Sequence, residues 1–335
     1  MSFRSSTIWL NGKLLPFEEA TLHFLTPALH YGIGVFEGIR CYATDDGPAI
    51  FRLRDHIDRL FDSARVLGFQ KMPYTKEEVT AAVRQVVAVN GFGECYIRPL
   101  IYLAEGGWNL SIDAGKAHVG VAVWEWTAYL GEEALARGVR ALVSTYTRHH
   151  PNATMSKAKI VGNYVNSVLA KTESVRLGFD EAILLDGQGY VAECTGENLF
   201  LVRNGVLHTP PSATVLEGIT RDTILVLARD FGIEAAEKPV SRDHLYIADE
   251  VFVCGTAAEV IGLREIDFRS IGSGRTGPVT CRFQQAYADV IRGRHPLSAQ
   301  WLDYVSEPSR PCATPASVPV DTRAPIRDRI GLPME

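Results

Sequence analysis

Apolar positions recur along the chain at two different periods, and the switches between them mark out its elements. In LRDHIDRLFDSARVLGF, Ile57, Leu60, Phe61, Ala64 and Leu67 fall at helical spacing, and Gly68 stands where a C-terminal stop belongs. That spacing predicts a helix exposing Arg59 near its middle. TKEEVTAAVRQVVAVNG repeats the helical pattern, and the β-rich runs CYIRPLIYL and HVGVAVWEW follow as strands. At the start, STIWLNGKLLPFEEA sets two short apolar runs around Asn11-Gly12, the strongest short-range hairpin signal there is. The first part therefore reads as an α+β unit, residues 1–130.

Polar, Gly-containing residues 131–137 read as a linker. Strands and helices alternate beyond it: VRALVSTY as a strand, then GNYVNSVLAKTESVRLG as a helix starting near Gly162, with Tyr164, Val165, Val168, Leu169 and Val175 on one side. EAILLD, the turn Gly187-Gln188-Gly189, YVAE, and the pair NLFLVR and VLHTP joined by Asn204-Gly205 give mainly antiparallel signals. GITRDTILVLARDFG is a further helix, with Thr220 as its N-cap and Gly232 as its stop. EVFVCG reads as a short buried strand and CRFQQAYADVIRG as the last helix. These elements predict a second domain over 138–305. The fold class is α/β in the broad sense, an α+β arrangement of two domains. From Ser306 to Glu335 the chain turns Pro-rich and poor in aromatics, a tail with no packed core.

The 335 residues suit two domains at about 150 each. Hydrophobic residues at 46% and charged residues at 22% fit a globular interior. A net charge of -5 argues against general nucleic-acid or acidic-membrane binding, which needs excess Lys and Arg, and favours a small-molecule partner. The six cysteines form no C-x-x-C pair or other metal-ligand spacing, so no metal is expected and the thiols fit a reducing compartment. No apolar stretch approaches the roughly 20 residues that span a bilayer, and the start lacks a signal segment; the cytoplasm is the expected location.

Three places carry candidate chemistry. SKAKIVGNYVNS offers Lys157 and Lys159, ordinarily solvated charges. Lys159, followed by Ile160 and Val161, is the better placed to be partly desolvated and so to act as nucleophile and base, whereas Lys157 sits among Ser and Ala. In GYVAECTGENLF, Glu193 ends a β-type run, and a carboxylate buried there needs a cation or donor: a protonated pyridine nitrogen or a structural arginine. VLEGITRDT presents Gly218, Ile219 and Thr220 at a helix N-terminus, an anion site in outline worth about 0.3–1 kcal/mol for an exposed charge, although helix capping alone also explains it. GTAAEV adds a small-residue loop around Thr256 where backbone N–H groups could approach an anion. The G-x-G-x-x-G match at Gly272–Gly277 lies late in the chain and runs into Pro278, so it is assigned to a loop.

Taken in order, ALHYGIGVFEGIRCY, RLFDSARVLGF, YIRPLIY, AKIVGNYVNS, GYVAECTGENLFLVR, LEGITRDT, ADEVFVCGTAAEV and GPVT resemble the fold-type IV aminotransferases, and most closely their branched-chain aminotransferase family, from about Trp9 to about Gly293. The resemblance implies a two-domain enzyme with pyridoxal 5'-phosphate in the interdomain cleft. It makes Lys159 the Schiff-base lysine, Glu193 the partner of the pyridine nitrogen and Tyr164 the donor to the phenolic oxygen. Arg59, Gly218, Ile219, Thr220 and Thr256 become the phosphate cup. Tyr31, Phe36, Gly38, Tyr96, Arg98, Trp126, Tyr129, Thr256 and Ala257 fall on the substrate side, where Tyr96 and Arg98 help accept both an apolar side chain and the γ-carboxylate of glutamate. The implied reaction moves an amino group between leucine, isoleucine or valine and 2-oxoglutarate. Relatives acting on D-amino acids or (R)-amines, or a non-catalytic homologue, are the alternatives. Tyr31 and the loop Glu105–Asn109 would reach a neighbouring subunit, implying a homodimer or homohexamer. The chain departs from the family at Cys194-Thr195, at Ile261-Gly262 and at Trp108, none of them a catalytic group.

Overall fold

The computed structural model describes residues 6–126 and 132–305. It divides into two compact units: the described residues 6–126, Lys157–Tyr164 and 290–305 form the first, and 132–156, 165–289 the second. Among the described residues no helix is long and apolar enough to cross a membrane. Tyr129 and the tail from Ser306 lie outside the described residues.

The first unit is a sheet backed by two helices. Its strands are β1 (Thr7–Leu10), β2 (Lys13–Pro16), β3 (Gly34–Phe36), β4 (Ile39–Thr44), β5 (Gly47–Phe51), β6 (Cys95–Glu105) and β7 (Lys116–Trp124), with Leu302–Tyr304 at one edge. The order is Leu302–Tyr304, β5, β4, β6, β7, β1, β2, and β3 also pairs with β6. Asn11-Gly12 closes the β1–β2 hairpin with φ of 49° and 83°, the positive values a type I′ turn demands. In β7 every second residue is buried: Ala117, Val119, Val121 and Val123 face the core. They meet Leu53, Ile57, Leu60 and Ala64 of the helix Leu53–Leu67 and Val79, Val83, Val86 and Val87 of the helix Lys76–Asn90. Each of the Val, Leu and Ile side chains gains about 1.5–3 kcal/mol on burial. The same alternation turns Tyr96 and Arg98 of β6, with Trp124 and Ala122 directly opposite them in β7, onto the other face. One face of this sheet is core, and the other carries Tyr96, Arg98 and Trp124.

The second unit holds β8 (Val139–Thr147), β9 (Glu181–Leu185), β10 (Val191–Cys194), β11 (Asn198–Arg203), β12 (Val206–Thr209), β13 (Ala235–Glu237), β14 (Glu250–Gly255), β15 (Glu259–Ile266) and β16 (Arg269–Ser270). The order is β10, β9, β8, β15, β14, β11, β12, β13, with β16 on β15. The pairing is mixed: β8 runs parallel to both β9 and β15, and the hairpins are antiparallel. Asn204-Gly205 turns β11 into β12 with φ of 51° and 79°. The G-x-G-x-x-G stretch is a loop, as its position in the chain implied.

Four expectations need correcting. The stretch 131–137 is not simple linker: Glu132–Arg137 is helical, and Ala134 and Leu135 pack on the second unit's core. The helix expected near Gly162 begins at Tyr164, because Val161 and Gly162 are still held by the carbonyls of Gly34 and Gly32. That helix also packs by Ser167, Ala170 and Ser174, while Val165, Val168, Leu169 and Val175 are exposed. Finally, the helix Ile219–Asp230 is capped by Gly218, and Thr220 lies inside its first turn. A Cβ at 218 would stand 2.0 Å from Asn198 Oδ1, so the helix starts where only glycine fits against Asn198.

Candidate active site

In the first unit the lysine segment extends the sheet beside β3. Phe36 N donates to the Lys159 carbonyl at 3.1 Å, Val161 N to the Gly34 carbonyl at 2.9 Å, and Ile160 bridges to Val35. Strand-like alternation then sorts the side chains: Ala158 and Ile160 enter the core, and Lys159 emerges on the opposite side. Its Nζ donates to Tyr164 Oη at 2.5 Å and lies 5.1 Å from the ring centres of both Phe36 and Tyr164. Among the described residues no carboxylate pairs with it. Lys157, two positions earlier, is exposed, so the burial separates the two lysines as their neighbours in the sequence had implied.

Arg98 is boxed by aromatics. Its guanidinium carbon is 4.5 Å from the Phe36 ring centre, 5.3 Å from Tyr96 and 5.8 Å from Trp124, and Nη2 donates to Tyr96 Oη at 3.3 Å. Trp124 stacks on Tyr96 at 5.0 Å and Trp126 tilts onto it at 5.0 Å. Arg98 Nε is buried without a hydrogen-bond partner, an arrangement that suits an incoming carboxylate. Gly38 has a steric task here: a Cβ would lie 1.9 Å from Tyr96 Oη. Gly38→Ala is therefore expected to evict the Tyr96 hydroxyl and cut kcat/KM roughly 10- to 100-fold. Gly187→Ala, with open space around it, should leave the kinetics unchanged. Steady-state assays of both variants check this, and equal effects would refute it.

Arg59 is not exposed as the helical pattern suggested, since its side chain is only 14% accessible. Glu37, fully buried between β3 and β4, accepts from Arg59 Nε at 2.6 Å and Nη2 at 2.8 Å, and lies 2.8 Å from His56 Nδ1. Burial by itself would raise the Glu37 carboxyl. The Arg59 charge and the hydrogen bonds from His56 and Arg59 outweigh it and hold the group far below its ordinary value. Burial pushes the His56 imidazole down, leaving it neutral with its proton on Nδ1 facing the ionised carboxylate. Tyr31 lies apart from this cluster, half-exposed beside Trp108 at 5.7 Å, and His30 packs on the same indole at 5.0 Å.

In the second unit Glu193, 5% accessible, is the last residue but one of β10. Of the two partners the sequence allowed, the chain supplies the arginine: Arg148 Nε stands 2.7 Å from Oε1. Leu216 N donates to Oε2 at 3.1 Å and Asn198 Nδ2 at 3.3 Å. Asn198 also donates to the Leu216 carbonyl at 3.0 Å, tying the carboxylate to the segment that leads into Gly218, Ile219 and Thr220. Thr256 and Ala257, with Ala258, form the tight turn between β14 and β15. The departures from the family pattern find local roles. Cys194 is buried, and the Thr195 hydroxyl donates to Glu181 at 2.6 Å. Ile261 is core, while Gly262 makes room for Thr276.

The profile of the amino-transferase class IV family matches residues 34–266, which run from β3 to the end of β15 and include Lys159, Arg59, Arg98 and Glu193. The chain belongs to that family. This class IV aminotransferase is 48% identical over 305 residues to the branched-chain-amino-acid aminotransferase of Pseudomonas aeruginosa, covering 91% of this chain and 99% of that one. Its fold superposes on the branched-chain amino acid aminotransferase of Escherichia coli with a TM-score of 0.88 at 44% identity, covering 90% and 100%. It superposes on that of Thermobaculum terrenum in its PLP form with 0.84 at 35%, covering 90% and 99%. Glu37, His56, Trp124, Arg148 and Asn198 were not singled out by the class IV motifs as read from the sequence. One had a signal there, since His56, Arg59 and Ser63 make a polar stripe at helical spacing, whereas Trp124 comes opposite Tyr96 only through the β6–β7 register.

Proposed function

We propose that this aminotransferase binds pyridoxal 5'-phosphate through Lys159 and transfers the amino group of leucine, isoleucine or valine to 2-oxoglutarate, giving branched-chain 2-oxo acids and glutamate. The observation that carries the reading is Lys159 itself, an amine on the face of the sheet opposite the core, hydrogen-bonded to a phenol and flanked by two aromatic rings. The residues present fit the cofactor. The first unit by itself offers an amine and phenol with a fork-shaped guanidinium at Arg59, and the second by itself offers a buried carboxylate at Glu193 and the glycine-capped N-terminus of a twelve-residue helix. Pyridoxal phosphate supplies an electron sink for the charge left when the α-proton departs.

The chain's own groups do the rest. Tyr164 Oη holds the Lys159 amine in place. With the cofactor bound, Lys159 Nζ would be the base that takes the donor's α-proton. Glu193, which Arg148 already holds through Oε1, would partner the ring nitrogen, and Arg59, Ile219, Thr220 and Thr256 would hold the phosphate. Phe36, Tyr96 and Trp126 give an apolar side chain its wall, while Arg98 meets the γ-carboxylate of glutamate and of 2-oxoglutarate. Trp124 extends that wall. A homo-oligomer completes the reading, supported by the exposed Val165, Val168, Leu169 and Val175 in the second unit and Phe24, Leu25, Leu29 and Tyr31 in the first. The cytoplasm is its place of work.

The test is a half-reaction with the purified holoprotein and L-leucine, L-valine, D-alanine or (R)-1-phenylethylamine, following the cofactor absorbance, with the solution mass measured on the same preparation. Conversion by the two L-amino acids alone, at a mass above one chain, is the expected result. Conversion only by D-alanine or the amine would move the activity to a sister group of the family.

A further inference from the structure

The helix Leu53–Leu67 carries a second stripe beside its apolar one. His56, Arg59 and Ser63 share it, and each is engaged: Ser63 Oγ accepts from Lys159 N at 3.0 Å, while His56 and Arg59 both reach Glu37. Glu37 is fully buried, and its backbone is pinned by donating to the Pro99 carbonyl at 3.0 Å. A guanidinium has two bidentate edges, one formed by Nε with a terminal nitrogen and one formed by the two terminal nitrogens. Glu37 occupies the first, through Nε at 2.6 Å and Nη2 at 2.8 Å, and so turns the second away from itself. The neutral His56 imidazole donates to Oε2, the same oxygen that Nη2 reaches, and so braces the carboxylate that holds the fork.

We propose that Glu37 is a positioning residue for the cofactor phosphate, aiming Arg59 by holding one edge of its guanidinium, with His56 bracing Glu37. This rests on the assignment of Arg59 to the phosphate. The claim runs against simple charge counting. If net charge governed phosphate affinity, removing the Glu37 charge would strengthen binding, because a like charge would be gone from beside the arginine. If orientation governs, the same change weakens binding, because the fork loses its anchor. The two readings differ in sign.

The experiment strips the full-length chain of cofactor and titrates it with pyridoxamine 5'-phosphate, pyridoxamine and inorganic phosphate. None of these probes forms a bond to Lys159. Glu37→Gln is expected to weaken pyridoxamine 5'-phosphate about tenfold or more, the worth of one charge-assisted hydrogen bond, and to leave pyridoxamine unchanged. A general structural fault would weaken both alike and overturn the proposal, as would tighter or unaltered binding of the phosphorylated probe. Should Glu37→Gln not fold, Glu37→Asp decides: it keeps the charge, withdraws the carboxylate by one methylene, and is expected to lower the phosphate-dependent preference by a smaller factor. An unchanged preference in Glu37→Asp would then refute the proposal. Arg59→Lys separates the two levels. If it loses the preference while the Glu37 variants keep it, Arg59 binds phosphate and Glu37 does not position it. If Arg59→Lys keeps the preference, the assignment of Arg59 to the phosphate fails first.

Discussion

Lys159→Ala is expected to lower the turnover of L-leucine with 2-oxoglutarate by about 10⁴-fold or more, since on the proposed function one change removes both the nucleophile and the base. Stability should scarcely move. The side chain is only half-buried, its hydrogen bond is to one phenol, and its ring contacts are worth about 0.5–1 kcal/mol, so the melting temperature should fall by no more than about 4 °C. Lys157→Ala, two residues away and exposed, should retain full activity. Single-turnover kinetics with L-leucine, alongside melting curves for the three proteins, check the contrast. Appreciable turnover in Lys159→Ala would end the proposed mechanism, and a similar loss in Lys157→Ala would mean that the segment, not the amine, is what matters.

The contrast between the two lysines shows how far the sequence reached and where it stopped. Local periodicity placed the helix Leu53–Leu67, both Asn-Gly hairpins and the strands β6 and β7, because each is specified by residues close in the chain. It could also rank Lys159 above Lys157, since the burial of Ala158 and Ile160 follows from alternation once the segment pairs with β3. It failed where a partner comes from far away. Arg59 looked exposed because Glu37 lies 22 positions earlier and reaches it only through the turn between β3 and β4. Thr220 looked like a cap because nothing local reveals that Asn198 crowds position 218. The apolar residues Val165, Val168, Leu169 and Val175 read as a packing face, yet the second unit packs that helix through its small residues instead. An apolar stripe states that something should cover it, not that the covering lies in the same chain.

The second large effect is one of selectivity. Arg98→Met keeps the length and apolar stem of the side chain among Phe36, Tyr96 and Trp124 while removing the guanidinium. On the proposed reading it should cut kcat/KM for 2-oxoglutarate and for glutamate about 100-fold, the equivalent of two charge-assisted hydrogen bonds at about 1.5 kcal/mol each. The half-reaction with L-leucine should change by no more than about threefold, because an aliphatic side chain makes no use of the charge and gains a slightly more apolar wall. On that same reading the aromatic box lets one pocket serve both donors. Ring faces stabilise a guanidinium without consuming its hydrogen bonds, so Arg98 can stay in place behind an apolar side chain and still meet a carboxylate when one arrives. A paired arginine could not do this, since its counter-carboxylate would compete with that of the substrate. Measuring both half-reactions on the one variant separates the two roles: equal losses for leucine and glutamate would show that Arg98 only holds the box together, and no loss for either would remove it from substrate recognition.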